Sequence, residues 1–239
     1  MEYKNNRQRT AAHPSGPRKK YKKRRKNKYH RRLSFLKAGI IILLLCIGVV
    51  LFFILRPHGD SRWKVEAYEY DDHRPALDVQ LLTPNEYSRP QTPLTSVNGI
   101  VIHYTANPGT DAQNNRDYFE GLKDSHLTYA SSHFVVGLEG QIIQCIPTSE
   151  ICYASNSRNA DTVAIEVCHP DESGKFTDET YDALVWLTGW LCTYLEVSPD
   201  QVIRHYDVTG KICPKYFVDH EDAWNDFKDD VKAWIRVNT

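Results

Sequence analysis

The sequence predicts an α/β fold, a central mixed β-sheet flanked by helices, carried behind a single transmembrane helix. Three observations lead there. An uncharged apolar run fills Ala38–Leu55. Short runs dense in β-branched residues recur downstream. Between and after them, apolar residues return at the spacing of a helix face.

Residues 1–37 come first. They are crowded with Lys and Arg, as in "RKKYKKRRKNKYHRR" from Arg18 to Arg32, and hold one acid, Glu2. Such a segment repels itself and has little to bury, so it reads as a basic, disordered cytoplasmic tail. A nucleic-acid arm is the rival reading. Topology already explains a basic run beside a membrane anchor, so no nucleic acid is expected as a partner.

Residues 38–55, "AGIIILLLCIGVVLFFIL", reach the length that crosses a bilayer. The run continues into "RPHGD" with no small-residue cleavage site, so it reads as a retained signal-anchor, with a buried core helix as the bland alternative. The lipid bilayer is then a partner through residues 38–55. The N-terminus stays in the cytoplasm and the rest of the chain lies outside, by the positive-inside rule. The formal net charge of the whole chain is zero. The basic tail therefore leaves an acidic remainder.

Residues 56–91 carry Pro57, Pro75, Pro84 and Pro90 with little periodicity, and read as an extracellular spacer. Residues 92–239 are the size of one ordinary domain. In it, "VNGIVIHYTA" reads as a buried strand ended by Pro108 and Gly109. "DAQNNRDYFEGLKD" reads as a helix with Asp111 as N-cap. "SSHFVVGLEGQIIQCIP" reads as two strands around Glu139-Gly140, a hairpin. "DTVAIEVCHP" is another buried strand. Tyr181, Leu184, Val185, Thr188, Leu191, Cys192 and Leu195 mark a helix across 178–196. "QVIRH" is a short strand, and "DAWNDFKDDVKAWI" an amphipathic closing helix. Strands alternating with helices predict the mixed α/β sheet.

Residues with metal-ligand chemistry fall at strand ends. His103 lies near the end of the first strand, His205 ends the last, and Cys213 follows eight residues on. Two imidazoles and a thiolate suit zinc, and three protein ligands leave a fourth position open. On spacing alone, ordinary polar residues explain them as well. Glu166 sits inside the apolar "VAIEVC", where alternation leaves its face open. It is either a solvated Glu or a general base. Lys211 is either a solvated loop lysine or the charge that steadies an oxyanion.

Four stretches together carry a family resemblance: "GIVIHYTANPGT", "SSHFVVGLEGQIIQCIP", "DTVAIEVCHP" and "IRHYDVTGKICP". From Thr92 to Ile235 the chain resembles the zinc-dependent N-acetylmuramoyl-L-alanine amidases, a superfamily that includes the peptidoglycan recognition proteins. The resemblance implies that His103, His205 and Cys213 bind zinc, that Glu166 is the catalytic carboxylate, and that Lys211 lies near the oxyanion. It implies a hydrolase that cuts the amide between N-acetylmuramic acid and L-alanine in peptidoglycan with zinc-activated water, and the membrane anchor read above would keep it near that wall. Phage-type members place a catalytic tyrosine just before the histidine matching His133, and this chain has Ser132 there. His133 itself reads equally as a cleft residue or a structural one. The alternative function is a peptidoglycan-binding module of the same fold that does not cut. A zinc peptidase is the second rival, and the absence of a His-Glu-x-x-His helix counts against it.

Cys145, Cys152, Cys168 and Cys192 are enough for two disulfides outside the cell. Cys168 and Cys192 fall on core-facing positions, so free buried thiols are the expectation.

Overall fold

The computed structural model describes residues 73–239. The expected tail, the apolar span and the first part of the spacer lie outside these residues. No helix among the described residues is long and apolar enough to cross a membrane.

The fold centres on a six-stranded mixed sheet. Its strands are β1 (Leu77–Val79), β2 (Ile100–Ile102), β3 (Phe134–Val136), β4 (Ile142–Gln144), β5 (Val163–Val167) and β6 (Val202–Arg204). They lie in the order β1-β4-β3-β5-β2-β6. Only β3 and β4 pair antiparallel, as the expected hairpin. Gly140 closes its turn at φ +78°, where a Cβ would stand 2.8 Å from the Glu179 carbonyl oxygen. Only glycine takes that backbone at no cost.

Among the described residues five α-helices surround the sheet: α1 (Ala112–Ser125), α2 (Asp178–Tyr194), α3 (His205–Thr209), α4 (Lys215–Asp219) and α5 (Glu221–Asn238). Asp111 caps α1 by accepting from the Asn114 N–H at 2.8 Å. Thr177 caps α2 by accepting from the Thr180 N–H. Both satisfy donors that a helix start leaves unpaired. The short helices α3 and α4 have too few turns to show periodicity and are not visible in the sequence.

Alternation sorts the strands between two cores. Ile100, Ile102, Phe134, Val163, Ile165 and Val167 pack against α2 and α5. Val135 and Ala164 face α1, whose Phe119 and Leu122 cover them. Each buried side chain of this size stabilises the fold by roughly 1.5–3 kcal/mol. The five described cysteines, Cys213 included, are buried and free, as expected for Cys145, Cys152, Cys168 and Cys192.

From residue 73 on, the sheet corrects the spacer expected at 56–91. Leu77–Val79 form an edge strand parallel to β4, with Leu77 opposite Ile142. Leu82 is fully buried. Arg89 grips Glu150 through two contacts of 2.8 and 2.9 Å. A three-residue edge strand between prolines is too short to carry a readable pattern, which is why this stretch resembles a linker.

Candidate metal centre

The site begins with strand register. Ile102 pairs with Ile165 on one side and Arg204 on the other. One step further, the same register brings Glu166, His103 and His205 into one row across β5, β2 and β6. The His103 N–H continues the ladder by donating to the Ile165 carbonyl at 2.9 Å. Alternation then settles the face of Glu166. It shares the side of Ala164 and Cys168, opposite the α2–α5 core.

The row is compact. The imidazole centroids of His103 and His205 are 4.6 Å apart. His103 Nδ1 is 4.0 Å from Glu166 Oε1 and 3.9 Å from Cys213 Sγ. Ligand atoms of His103, His205 and Cys213 all lie within 4.8 Å of one another, and all three residues are buried.

Cys213 arrives by a closed loop. α3 makes a single turn and ends at Gly210, whose φ is +77°. The Tyr206 N–H then donates to the Cys213 carbonyl at 2.9 Å and shuts the loop. Arg204 anchors its root. Its guanidinium donates to Asp207 Oδ1 at 2.9 Å, Glu221 Oε2 at 2.6 Å and the Phe217 carbonyl at 2.9 Å. It also lies over the Tyr206 and Trp224 rings, 5.3 Å from each centroid. Arg204 therefore fixes the corner from which His205 projects.

Two further side chains complete the surroundings. Ser155 Oγ is 3.0 Å from His103 Nε2, and Asn156 Oδ1 is 2.8 Å from His205 Nε2. Sequence reasoning missed Ser155, Asn156 and Arg204. "SNSRN" signals a turn by its composition, but nothing local says which histidines that turn meets.

Burial sets the charge state of the row. It pushes the His103 imidazole well below the ordinary histidine range, with the positive fields of His205 and Lys211 adding to the effect. Burial and then Lys211 lower His205. Burial lifts the Glu166 carboxyl to about 8, against the opposing pull of Lys211. Burial lifts the Cys213 thiol to about 12, with Glu166 adding to the rise. The cluster is thus nearly uncharged when it holds no cation.

The donor set fits zinc. His205 Nδ1 is buried with no hydrogen-bond partner, as is Glu166 Oε2. A buried lone pair without a partner is costly unless something else takes it. Two imidazoles and one sulfur are a zinc donor set, with tetrahedral edges of roughly 3.3–3.6 Å from the usual bond lengths. The 3.9 Å between His103 Nδ1 and Cys213 Sγ is already close to such an edge.

Sequence-predicted residues fall as follows. His103, His205 and Cys213 converge, and Glu166 joins them. Lys211 is exposed on the loop between His205 and Cys213, close enough for its charge to act on all four. His133 does not join them. Its Nδ1 accepts from the Ala164 N–H at 3.0 Å and its Nε2 donates to the Glu150 carbonyl at 2.8 Å, a structural role that leaves no free nitrogen. The Ser132 hydroxyl is fully buried against the Phe134 and Ala164 carbonyls, so it takes no part in the row.

Comparison with known proteins identifies the family. The sequence model described as N-acetylmuramoyl-L-alanine amidase matches residues 93–216. The chain is 35% identical over 169 residues to N-acetylmuramoyl-L-alanine amidase CwlL of Bacillus licheniformis, covering 65% of this chain and 46% of that one. It is 32% identical over 170 residues to N-acetylmuramoyl-L-alanine amidase BlyA of Bacillus subtilis strain 168, covering 62% and 45%. The chain thus spans less than half the length of these curated relatives. The fold matches the catalytic domain of XlyA with a TM-score of 0.57 at 24% identity, over 66% of this chain and 99% of that one.

Proposed function

Since the chain belongs to the N-acetylmuramoyl-L-alanine amidase family, we propose that it hydrolyses the amide between N-acetylmuramic acid and L-alanine in peptidoglycan. The observation that carries the reading is the row Glu166, His103, His205 with Cys213 closing on it. A binding module needs no carboxylate set beside three metal donors.

His103, His205 and Cys213 hold zinc in this proposal. Bound there, zinc supplies a Lewis acid for the scissile carbonyl and lowers the pKa of water. The remaining work belongs to the chain. Glu166 takes a proton from the attacking water and returns it to the departing nitrogen of L-alanine. Its setting favours that cycle, because desolvation raises the carboxyl while a bound cation would draw it down again, which poises it to accept a proton and to give it back. The Lys211 ammonium offsets the charge that builds on the carbonyl oxygen. Ser132 contributes no proton transfer, so the general base is Glu166 alone.

The same proposal includes the anchor. Residues 38–55 hold the chain in the cell membrane as a single pass, with the basic tail in the cytoplasm and the amidase domain outside, beside its substrate. The charge-free run and the basic flank support this.

The test is digestion of purified cell wall by the full-length chain, followed by end-group analysis. New amino-terminal alanine that a zinc chelator abolishes is the expected result. Wall binding without new ends would leave the binding-module reading standing instead.

A further inference from the structure

We propose that Ser155 and Asn156, adjacent in one tight turn between β4 and β5, are positioning residues that choose which nitrogen each histidine offers to a metal. The inference rests on the metal-centre reading above and extends it to residues outside the ligand set.

Each ring is held from behind. His103 Nε2 meets Ser155 Oγ at 3.0 Å, and His205 Nε2 meets Asn156 Oδ1 at 2.8 Å. A carboxamide oxygen only accepts, so the His205 Nε2 carries the proton and donates it. Nδ1 keeps the lone pair, and it is buried without a partner. His103 is oriented alike. Its Nδ1 is the atom 3.9 Å from Cys213 Sγ. Both imidazoles therefore turn Nε2 toward the turn, which leaves Nδ1 of each as the nitrogen available to a metal. A histidine that ligates through one nitrogen is normally fixed through the other.

The turn is built to hold still. Asn159 Oδ1 accepts from the Ala154 and Ser155 N–H groups at 3.2 and 2.6 Å. The Arg158 and Asn159 N–H groups donate to the Ser155 and Asn156 carbonyls at 3.0 and 3.2 Å. The Thr162 hydroxyl ties the far side to the Arg158 carbonyl at 2.6 Å. Ser155 is fully buried, so its hydroxyl is not there for solvent.

Asn156 is more telling. It is exposed, so packing does not require it. Its backbone has φ +52°, where glycine is the default. A left-handed residue that keeps a side chain, aimed at a histidine nitrogen, points to that side chain as the reason for the residue.

These facts give a separating experiment on the purified full-length chain, stripped of metal. Zinc affinity is measured by competition with a chromogenic chelator, and thermal stability is measured metal-free. Asn156→Gly relieves the backbone and removes only the carboxamide. The expected result is zinc binding about 10–100-fold weaker than wild type, with the metal-free melting temperature unchanged or raised. Asn156→Asp keeps an acceptor and should restore affinity to wild type or above. Ser155→Ala should weaken zinc binding in the same direction. Cobalt in place of zinc should show an altered ligand-field spectrum in Asn156→Gly. Wild-type affinity in Asn156→Gly would overturn the inference. So would an affinity loss matched by a lower metal-free melting temperature. A wild-type chain that binds no zinc would overturn the metal centre itself, a different result from equal affinities.

Discussion

His103 Nδ1 and Glu166 Oε1 lie 4.0 Å apart because their residues extend the β2–β5 register one step past Ile102 and Ile165. Neighbouring strands lie about 4.8 Å apart. Side chains projecting from the same face and the same level must therefore meet. A metal donor and a carboxylate placed this way need no loop to bring them together. The sheet itself is the scaffold, and its rigidity passes to the site.

That relationship makes Glu166 separable from metal binding. Glu166→Gln keeps the shape and the hydrogen-bonding capacity but cannot cycle a proton. Its kcat on cell wall should fall by roughly 10²–10⁴. Zinc affinity should stay near wild type, because the carboxylate is not one of the three donors. Full turnover in Glu166→Gln would remove it from the role of base.

Cys213→Ser tests the thiolate. Serine keeps the loop closure, which uses the backbone carbonyl of residue 213. It replaces a soft sulfur with a hydroxyl that zinc holds poorly. Chelator competition should show zinc affinity falling by orders of magnitude, with activity lost in parallel and metal-free stability little changed.

Arg204 tests the corner that carries His205. Its side chain is 7% exposed and bound to Asp207 and Glu221. Its acidic partners are partly exposed, but the Phe217 carbonyl that it also satisfies is buried. Arg204→Ala should lower stability by roughly 1–3 kcal/mol, the cost of leaving that carbonyl without its donor. Chemical denaturation reads this directly. Zinc affinity should drop as well, since the His205 backbone loses its brace.

His133 gives a pH prediction away from the metal ligands. Burial lowers its imidazole from 6.5 to about 4, against the weaker raising effect of its bond to the Glu150 carbonyl. The unfolded chain then binds one more proton than the folded chain between those values. Stability contributed by neutral His133 is complete above pH 6.5 and is lost as pH falls toward 4. The loss amounts to about 3 kcal/mol. Replacing the ring, as in His133→Asn, should destabilise the protein at neutral pH. It should also flatten the acid slope by about one proton over this window. An unchanged slope would mean that His133 is already charged in the folded protein.

How much of this was legible from the residues depends on the element. The buried strands, the α1 cap at Asp111, the hairpin at Gly140 and the two long helices follow from local pattern, because each has a period or a turn chemistry of its own. The edge strand at 77–79 does not, because three residues carry no period. His103, His205, Cys213, Glu166 and Lys211 could be nominated by chemistry and resemblance. Their convergence could not be derived. It depends on β5, β2 and β6 being neighbours, which is strand order and not composition. Glu166 shows the limit most clearly. Alternation within "VAIEVC" offers two faces, and only the α1 side chains that cover Ala164 decide between them. Ser155 and Asn156 were out of reach for the same reason. Their partners are 52 and 49 residues away.

Zinc reconstitution of the metal-free, full-length chain tests the central claim most directly. Release of amino-terminal L-alanine from purified peptidoglycan is followed as zinc is added. The account predicts no release without zinc, and full release as one zinc per chain is reached, with Cys213→Ser unresponsive at the same zinc concentrations. Release that is indifferent to zinc removal, or new ends other than the alanine amine, would contradict it.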